Sequence, residues 1–285
     1  MRSFLFVPGD SLRKFQSAKK TAADALILDL EDSIAPDQKV AARSITRGML
    51  DARNRDQKIY IRVNALDTDM TLGDLAAVMP GRPDGIVLPK CAGATDVNRL
   101  SLYLDAFEAA STIEHGRTRI VTVATETARA VLKLLDFENM SPRLWGMMWG
   151  AEDLAASLGS SRNRTAGRFH GPFLLARDLC LISAAASGVV AIDTIATDIN
   201  DLDALRDEAI AARQDGFLAK AVIHPKHVDV VNAAFMPTDE EVAWSEKVVR
   251  AFNDNPTSGV VKIDGKMIDK PHLRAAEKIL ALRKR

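Results

Sequence analysis

Eight strand-like runs alternate with eight amphipathic stretches along this 285-residue chain, and few architectures accept that order. The apolar runs are Ser3–Val7, Ala25–Leu30, Lys58–Val63, Gly85–Leu88, Arg119–Ala124, Leu144–Trp149, Val189–Thr194 and Ala219–Ile223. Between and after them lie helix-like segments: Ser11–Ala22, Lys39–Ala52, Thr71–Met79, Ala94–Ser111, Ala128–Glu138, Phe173–Ser187, Asp201–Gln214 and Lys226–Phe235. Strands separated by helices pair in parallel, and eight such units close most economically into an α/β (β/α)₈ TIM barrel. A doubly wound open sheet is the alternative, but it needs fewer strands and a switch point. Asp10 or Ser11, Thr71 and Asp201 are predicted to cap the first, third and seventh helices.

A tail follows that a barrel does not need. Thr238–Asn253 reads as a helix with an acidic start, Asp264-Gly265 is a tight hairpin signal, and His272–Arg285 reads as a basic-ended helix after Pro271. The expected organisation is a catalytic barrel over residues 1–236 and a helix–hairpin–helix extension over 237–285, placed as a lid over a barrel mouth, its own or a neighbour's.

The strand ends carry the chemistry. Ala25 to Asp32 is a buried-strand run ending in Asp29, Glu31 and Asp32, three acids in four residues. Like charges this close repel unless cations or donors sit among them. Other runs end in Glu126, in Glu152-Asp153 and in Asp193. Barrels of this class keep their active sites at the C-terminal ends of the strands. Read there in order, the positions are Pro8-Gly9, the Asp29 cluster, Arg62/Asn64, Pro89-Lys90, Glu126, Asp153, Asp193 and His224-Pro225. Gathered carboxylates make an oxygen-rich site suited to a hard divalent cation. Each charge alone also has a bland reading: Arg62 or Lys90 as a barrel salt bridge, Glu126 or Asp153 as a helix N-terminal acid.

Composition narrows the partners. Lys plus Arg equals Asp plus Glu at 38 each, so no global field draws nucleic acid or an anionic membrane. No apolar stretch reaches membrane-spanning length, and Arg2 leads directly into a strand-like run without signal-peptide or transit-peptide character, so a cytoplasmic protein is expected. A processed organellar form has the same appearance. Cys91 and Cys180 form no Cys-x-x-Cys motif and are expected to be free buried thiols.

Several segments together resemble the citrate lyase beta-subunit-like family, whose members include malyl-CoA and citramalyl-CoA lyases. They are Arg2-Ser-Phe-Leu-Phe-Val-Pro-Gly9, Ile27-Leu-Asp-Leu-Glu-Asp-Ser33, Arg62-Val-Asn64, Leu88-Pro-Lys90, Glu126-Thr127, Trp149-Gly-Ala-Glu-Asp-Leu154, Ile223-His-Pro225 and Gly265-Lys-Met-Ile-Asp269. The resemblance implies Mg²⁺ held by Glu126 and Asp153, with Asp29, Glu31 and Asp32 holding metal waters or orienting Arg62. Arg62 then meets the negative charge of an enolate, with preorganised donors. The acid–base group is Asp269, delivered from the extension of an adjacent subunit, which makes the protein a homotrimer or homohexamer. Asp269 also has a bland reading as a helix N-terminal acid.

The expected reaction is Mg²⁺-dependent cleavage, or formation by Claisen-type condensation, of a 3-hydroxyacyl-CoA thioester such as citramalyl-CoA, malyl-CoA or a citryl thioester. Arg13 and Lys14, just after the Pro8-Gly9 turn, could hold CoA phosphates or could simply be solvated. Lys39 and Arg43 fit an ordinary exposed helix face. Lys90 near so many acids is expected to be an ion-paired amine, and Met147-Met148-Trp149 to be strand core that shapes the acyl pocket. Two other readings stand beside this one. One is a Schiff-base aldolase using Lys90 or Lys220. The other is a citrate-lyase-like subunit that binds acyl-CoA or acyl carrier protein and needs partner subunits for turnover.

Overall fold

The computed structural model describes residues 1–53, 57–137 and 140–283. In chain order the first elements are β1 (Ser3–Pro8), α1 (Leu12–Ala18), β2 (Ala25–Asp29), α2 (Lys39–Asp51), β3 (Lys58–Arg62), α3 (Thr71–Val78), β4 (Gly85–Leu88) and α4 (Ala94–Ala110). Then come β5 (Arg119–Val123), α5 (Ala128–Leu132), β6 (Leu144–Met148), α6 (Glu152–Leu158), β7 (Arg164–Thr165), β8 (Arg168–Phe169), α7 (Gly171–Ala186) and β9 (Val190–Asp193). The last are α8 (Leu202–Asp215), β10 (Ala219–Val222), α9 (Pro225–Ala234), α10 (Asp239–Asn253), β11 (Val260–Ile263), β12 (Lys266–Asp269) and α11 (Lys270–Arg283). The chain divides into two compact units, Met1–Asn232 and Ala233–Arg285.

The first unit is the closed parallel barrel, in the order β1-β2-β3-β4-β5-β6-β9-β10 with β10 returning to β1. Strands β2, β4 and β10 are buried at every residue, which is why they read as unbroken apolar runs instead of alternating ones. Alternate residues, among them Phe4, Ile27, Tyr60, Val87, Val121 and Ile192, fill the barrel interior. Phe4 packs on Tyr60 at 5.6 Å and on Trp145 at 5.8 Å between ring centroids. A Cβ at Gly85 would lie 2.5 Å from the Tyr60 ring, so the large side chain on β3 requires none beside it on β4.

In-register parallel pairing places side chains of adjacent strands side by side on one face. Asp29 on β2 is paired with Arg62 on β3, and Asp193 on β9 with Lys220 on β10. Asp29, Arg62 and Asp193 each end their strand, whereas Lys220 stands near the start of β10.

The second unit is built around its own apolar cluster. Val248 and Phe252 of α10 and Ala276 of α11 pack with Val261, Ile263 and Ile268 of the hairpin. Thr238 caps α10 in a reciprocal box with Glu241. Asp264 and Gly265 have φ of 50° and 78°, the two positive values that a two-residue hairpin turn demands.

Some local expectations are corrected. Ser11 and Asp201 do cap α1 and α8. Thr71 is instead the first helical residue of α3, and its hydroxyl donates to the Asn64 and Ala65 carbonyls. The helix predicted over Ala128–Glu138 ends at Leu132 and passes into a 3₁₀ turn over Leu134–Phe137, and Glu138 lies outside the described residues. The last helix begins at Lys270 instead of His272, and its predicted end at residues 284–285 is likewise outside them. Helix α6, anticipated only by the alternative reading of Asp153 as a helix N-terminal acid, and the small β7–β8 hairpin stood outside the predicted elements. They are short insertions between the sixth and seventh barrel strands, without the length that makes periodicity legible.

Candidate active site

The acidic end of β2 is neutralised within the barrel mouth. Asp29 receives Arg62 Nε and Nη2 at 2.7 and 2.8 Å, a two-pronged contact between register neighbours. It also accepts the backbone N–H groups of Glu31 and Ser33 at 2.9 and 3.0 Å. Burial pushes the Asp29 carboxyl up, but Arg62 and these donors more than offset it and hold its pKa below the ordinary aspartate value. The other outer nitrogen of Arg62, Nη1, lies 3.0 Å from Glu31 Oε2 and 3.5 Å from Asp32. The guanidinium plane covers the Phe6 ring at 5.0 Å.

Lys90 closes the same cluster. Its ammonium donates to Glu31 and stands 3.7 Å from Asp32 and 3.6 Å from Asp153. Burial disfavours its charge, but the Glu31, Asp153 and Asp32 carboxylates raise its pKa above the ordinary lysine value. Lys90 has a positive φ of 51°, a conformation costing about 1–3 kcal/mol for a residue with a side chain. That geometry aims its backbone N–H at Glu126, which accepts it at 2.5 Å.

Glu126 follows β5 and immediately precedes Thr127, the cap of α5. Asp153 lies in the first turn of α6. Their carboxyl groups meet: burial first, then the hydrogen-bonded Asp153 and the charge of Glu31, push the Glu126 carboxyl up to about 8. Five carboxylates (Asp29, Glu31, Asp32, Glu126, Asp153) thus face two cations, Arg62 and Lys90. Among the described residues no group of three or more His, Cys, Asp or Glu side chains forms a complete metal cage. An acidic pair with surplus negative charge fits Mg²⁺, which takes one or two carboxylates and fills its octahedron with water and substrate oxygens.

A cavity of about 800 Å³ opens on this cluster. Asp29, Asp32, Arg62, Glu126 and Asp153 line it, and Arg13 and Lys14 of α1 stand on the same wall. Met148 and Trp149 also border it. Phe6, Ser33, Ile195, Ile199 and His224 are further lining residues; of these only His224 stood among the strand-end positions read from the sequence. Their signal was weak, because all but Phe6 lie in loops beyond the strand ends and none of the three apolar residues carries a distinctive chemical group. Asp269 belongs to the second unit, where it is exposed and hydrogen-bonded to His272, which lowers its pKa.

Lys39 and Arg43 are not the exposed helix face that their one-turn spacing suggested. Both are half-buried: Lys39 reaches the end of β2, and Arg43 pairs with the fully buried Asp74 at 2.7 Å. Lys220 is fully buried and donates to Asp193 at 2.6 Å. Both barrel lysines with Schiff-base potential are therefore ion-paired ammonium groups. Cys91 and Cys180 are free and buried, and burial pushes both thiols up to about 12.

An eight-stranded barrel with a carboxylate pair, a fixed guanidinium and a large cavity at its C-terminal face defines a barrel enzyme of acid-and-metal type. The sequence model of the HpcH/HpaI aldolase/citrate lyase family matches residues 2–225, and the chain belongs to that family of enzymes. It is 32% identical to a (3S)-malyl-CoA thioesterase of Cereibacter sphaeroides, over 98% of this chain and 93% of the relative. It is 34% identical to a citrate lyase subunit beta-like protein of Mycobacterium tuberculosis, over 97% and 93%. Among solved structures, CitE of Mycobacterium tuberculosis in complex with magnesium, acetoacetate and coenzyme A superposes with a TM-score of 0.83 at 33% identity, covering 100% of this chain and 98% of that one. Among the described residues no helix is long and apolar enough to cross a membrane.

Proposed function

We propose that this chain is a Mg²⁺-dependent carbon–carbon lyase that cleaves a 3-hydroxyacyl-CoA thioester into an acyl-CoA and an α-keto acid, or runs the condensation in reverse. The observation that carries this reading is the Glu126–Asp153 carboxyl pair set beside Arg62 in one cavity. CoA-linked names among the relatives and the magnesium, acetoacetate and coenzyme A held by the CitE neighbour support it.

Glu126 and Asp153 are the proposed ligands of Mg²⁺, which when bound supplies a Lewis acid toward the hydroxyl and carboxylate oxygens of the substrate. Arg62 has five N–H donors and spends two on Asp29, so its outer nitrogens retain donors for the enolate oxygen of the acyl half. Asp29, Glu31 and Asp32 hold the guanidinium in place, and Lys90 holds Glu31 and, through its backbone, Glu126. Arg13 and Lys14 are exposed cations on the cavity wall, suited to CoA phosphates. Asp269 is the proposed proton carrier, delivered from a neighbouring subunit of a homotrimer or homohexamer and closing the reaction against water. Its exposure on a separately packed hairpin unit supports that role.

Turnover of a panel of malyl-, citramalyl- and citryl-CoA with Mg²⁺, with the liberated keto acid detected, tests the proposal. Keto acid from at least one member is the expected result. Hydrolysis to free CoA without keto acid would replace it with a thioesterase.

A further inference from the structure

Among the described residues, Lys39 is the one half-buried lysine of the barrel mouth whose ammonium meets only neutral oxygens. Its Nζ donates to the Leu30 carbonyl at 2.9 Å, the Glu31 carbonyl at 2.6 Å and Asn64 Oδ1 at 2.8 Å. Among the described residues no carboxylate lies within ion-pairing distance of it. A half-buried ammonium spent on three neutral acceptors, with no carboxylate to pair it, is not an arrangement that stability calls for. The Leu30 carbonyl already receives Asn64 Nδ2 at 3.1 Å, and the Glu31 carbonyl already receives the Ile34 N–H at 3.0 Å. Each carbonyl is satisfied without the lysine.

What Lys39 adds is a fixed backbone at the two residues that follow Asp29. The Glu31 peptide is held from three sides: its N–H by Asp29, its carbonyl by Ile34 and by Lys39. The Glu31 side chain in turn pairs with both cations of the site, Arg62 and Lys90. Asn64, the third partner, is locked by Asp74, which receives both its backbone and its side-chain N–H. Lys39 therefore ties the turn after β2, whose Glu31 pairs with Arg62, to the turn after β3, the strand that Arg62 ends. We propose that Lys39 is a positioning residue of the reaction: it fixes Glu31 so that Arg62 and Lys90 hold their orientation in the cavity.

The proposal rests on the lyase reading for its kinetic arm only. The tests are Lys39→Met and Lys39→Cys, the latter before and after alkylation with 2-bromoethylamine, which rebuilds a lysine-length ammonium. Cys91 and Cys180, at 1% and 0% exposure, are shielded from the reagent in the folded protein. Backbone hydrogen exchange is read first, without substrate. Exchange at Glu31 to Ser33 is expected to rise at least about tenfold in both unalkylated variants, with the remaining barrel strands unchanged. With the thioester that the wild-type enzyme turns over, kcat is expected to fall at least about tenfold at nearly constant KM, the sign of an interaction that serves the transition state. Aminoethylation is expected to restore exchange and kcat together. Wild-type exchange in the unalkylated variants, or altered exchange with wild-type kcat, would overturn the proposal. A wild-type protein without keto-acid production would refute the lyase reading instead, and the exchange comparison would still decide whether Lys39 anchors the turn. Should Lys39→Met fail to fold, the alkylated and unalkylated forms of Lys39→Cys give the same comparison within one protein.

Discussion

Asp29 and Arg62 are register neighbours on adjacent parallel strands and meet through two hydrogen bonds of 2.7 and 2.8 Å. The same carboxylate holds the N–H groups of Glu31 and Ser33, so one buried aspartate organises both the guanidinium and the turn beside it. Asp29→Asn removes the charge from a buried pair and is expected to cost about 3–5 kcal/mol in urea unfolding at pH 7. The pKa of Asp29 is lowered on folding, so its stabilisation is present above 3.8 and is lost as pH falls through the folded value. The gap between wild type and variant is therefore expected to narrow in acid.

Arg62→Lys keeps a cation and loses the planar fork. A loss in kcat of roughly 10² or more is expected for a preorganised donor to an oxyanion. Near-normal kcat in steady-state kinetics would reduce Arg62 to an ion pair.

In metal-free buffer, Glu126 sets a pH dependence of the opposite sign. Its carboxyl is raised from 4.5 to about 8 by burial and by Asp153 and Glu31, so between those values the folded state binds the extra proton. Stability with EDTA is expected to fall as pH rises from about 4.5 to about 8. Glu126→Gln should flatten that profile, and added Mg²⁺ should raise the melting temperature most at the alkaline end. Alanine at Glu126 or Asp153 should abolish calorimetric Mg²⁺ binding and Mg²⁺-dependent turnover with the barrel intact by circular dichroism.

Neither Lys90 nor Lys220 should form a covalent adduct. Glu31 and Asp153 hold the Lys90 ammonium and raise its pKa, which keeps its lone pair from a carbonyl, and Lys220 is fully buried against Asp193, out of a substrate's reach. Borohydride treatment during turnover is expected to leave the protein mass unchanged. An adduct mapped to either lysine would revive the aldolase reading.

If Asp269 serves a neighbouring barrel, two dead enzymes should complement each other. After verified subunit exchange, a mixture of Asp269→Ala and Glu126→Ala is expected to regain activity, because some sites then hold both groups intact. A mixture that stays dead would place Asp269 in its own barrel's site or outside catalysis.

The barrel was legible from the chain because strand and helix periodicities and the order of elements are local properties. The eight apolar runs, a first cap at Asp10 or Ser11, the Asp201 cap and the Asp264-Gly265 turn were read from the chain, and the carboxylates could be seen to fall at one end of the sheet. Partners were another matter. Spacing treats Lys39, one turn from Arg43, as an ordinary solvated cation, because periodicity gives the face of a helix but not what the neighbouring loop offers it. The pairing of Asp29 with Arg62 and of Asp193 with Lys220 follows from strand register, which contacts distant in sequence decide. Parallel pairing of β5 with β6 sets Glu126, beyond the one strand, against Asp153, beyond the other, and burial of Glu126 there raises its carboxyl, an arrangement of tertiary structure on which the proposed dication site rests.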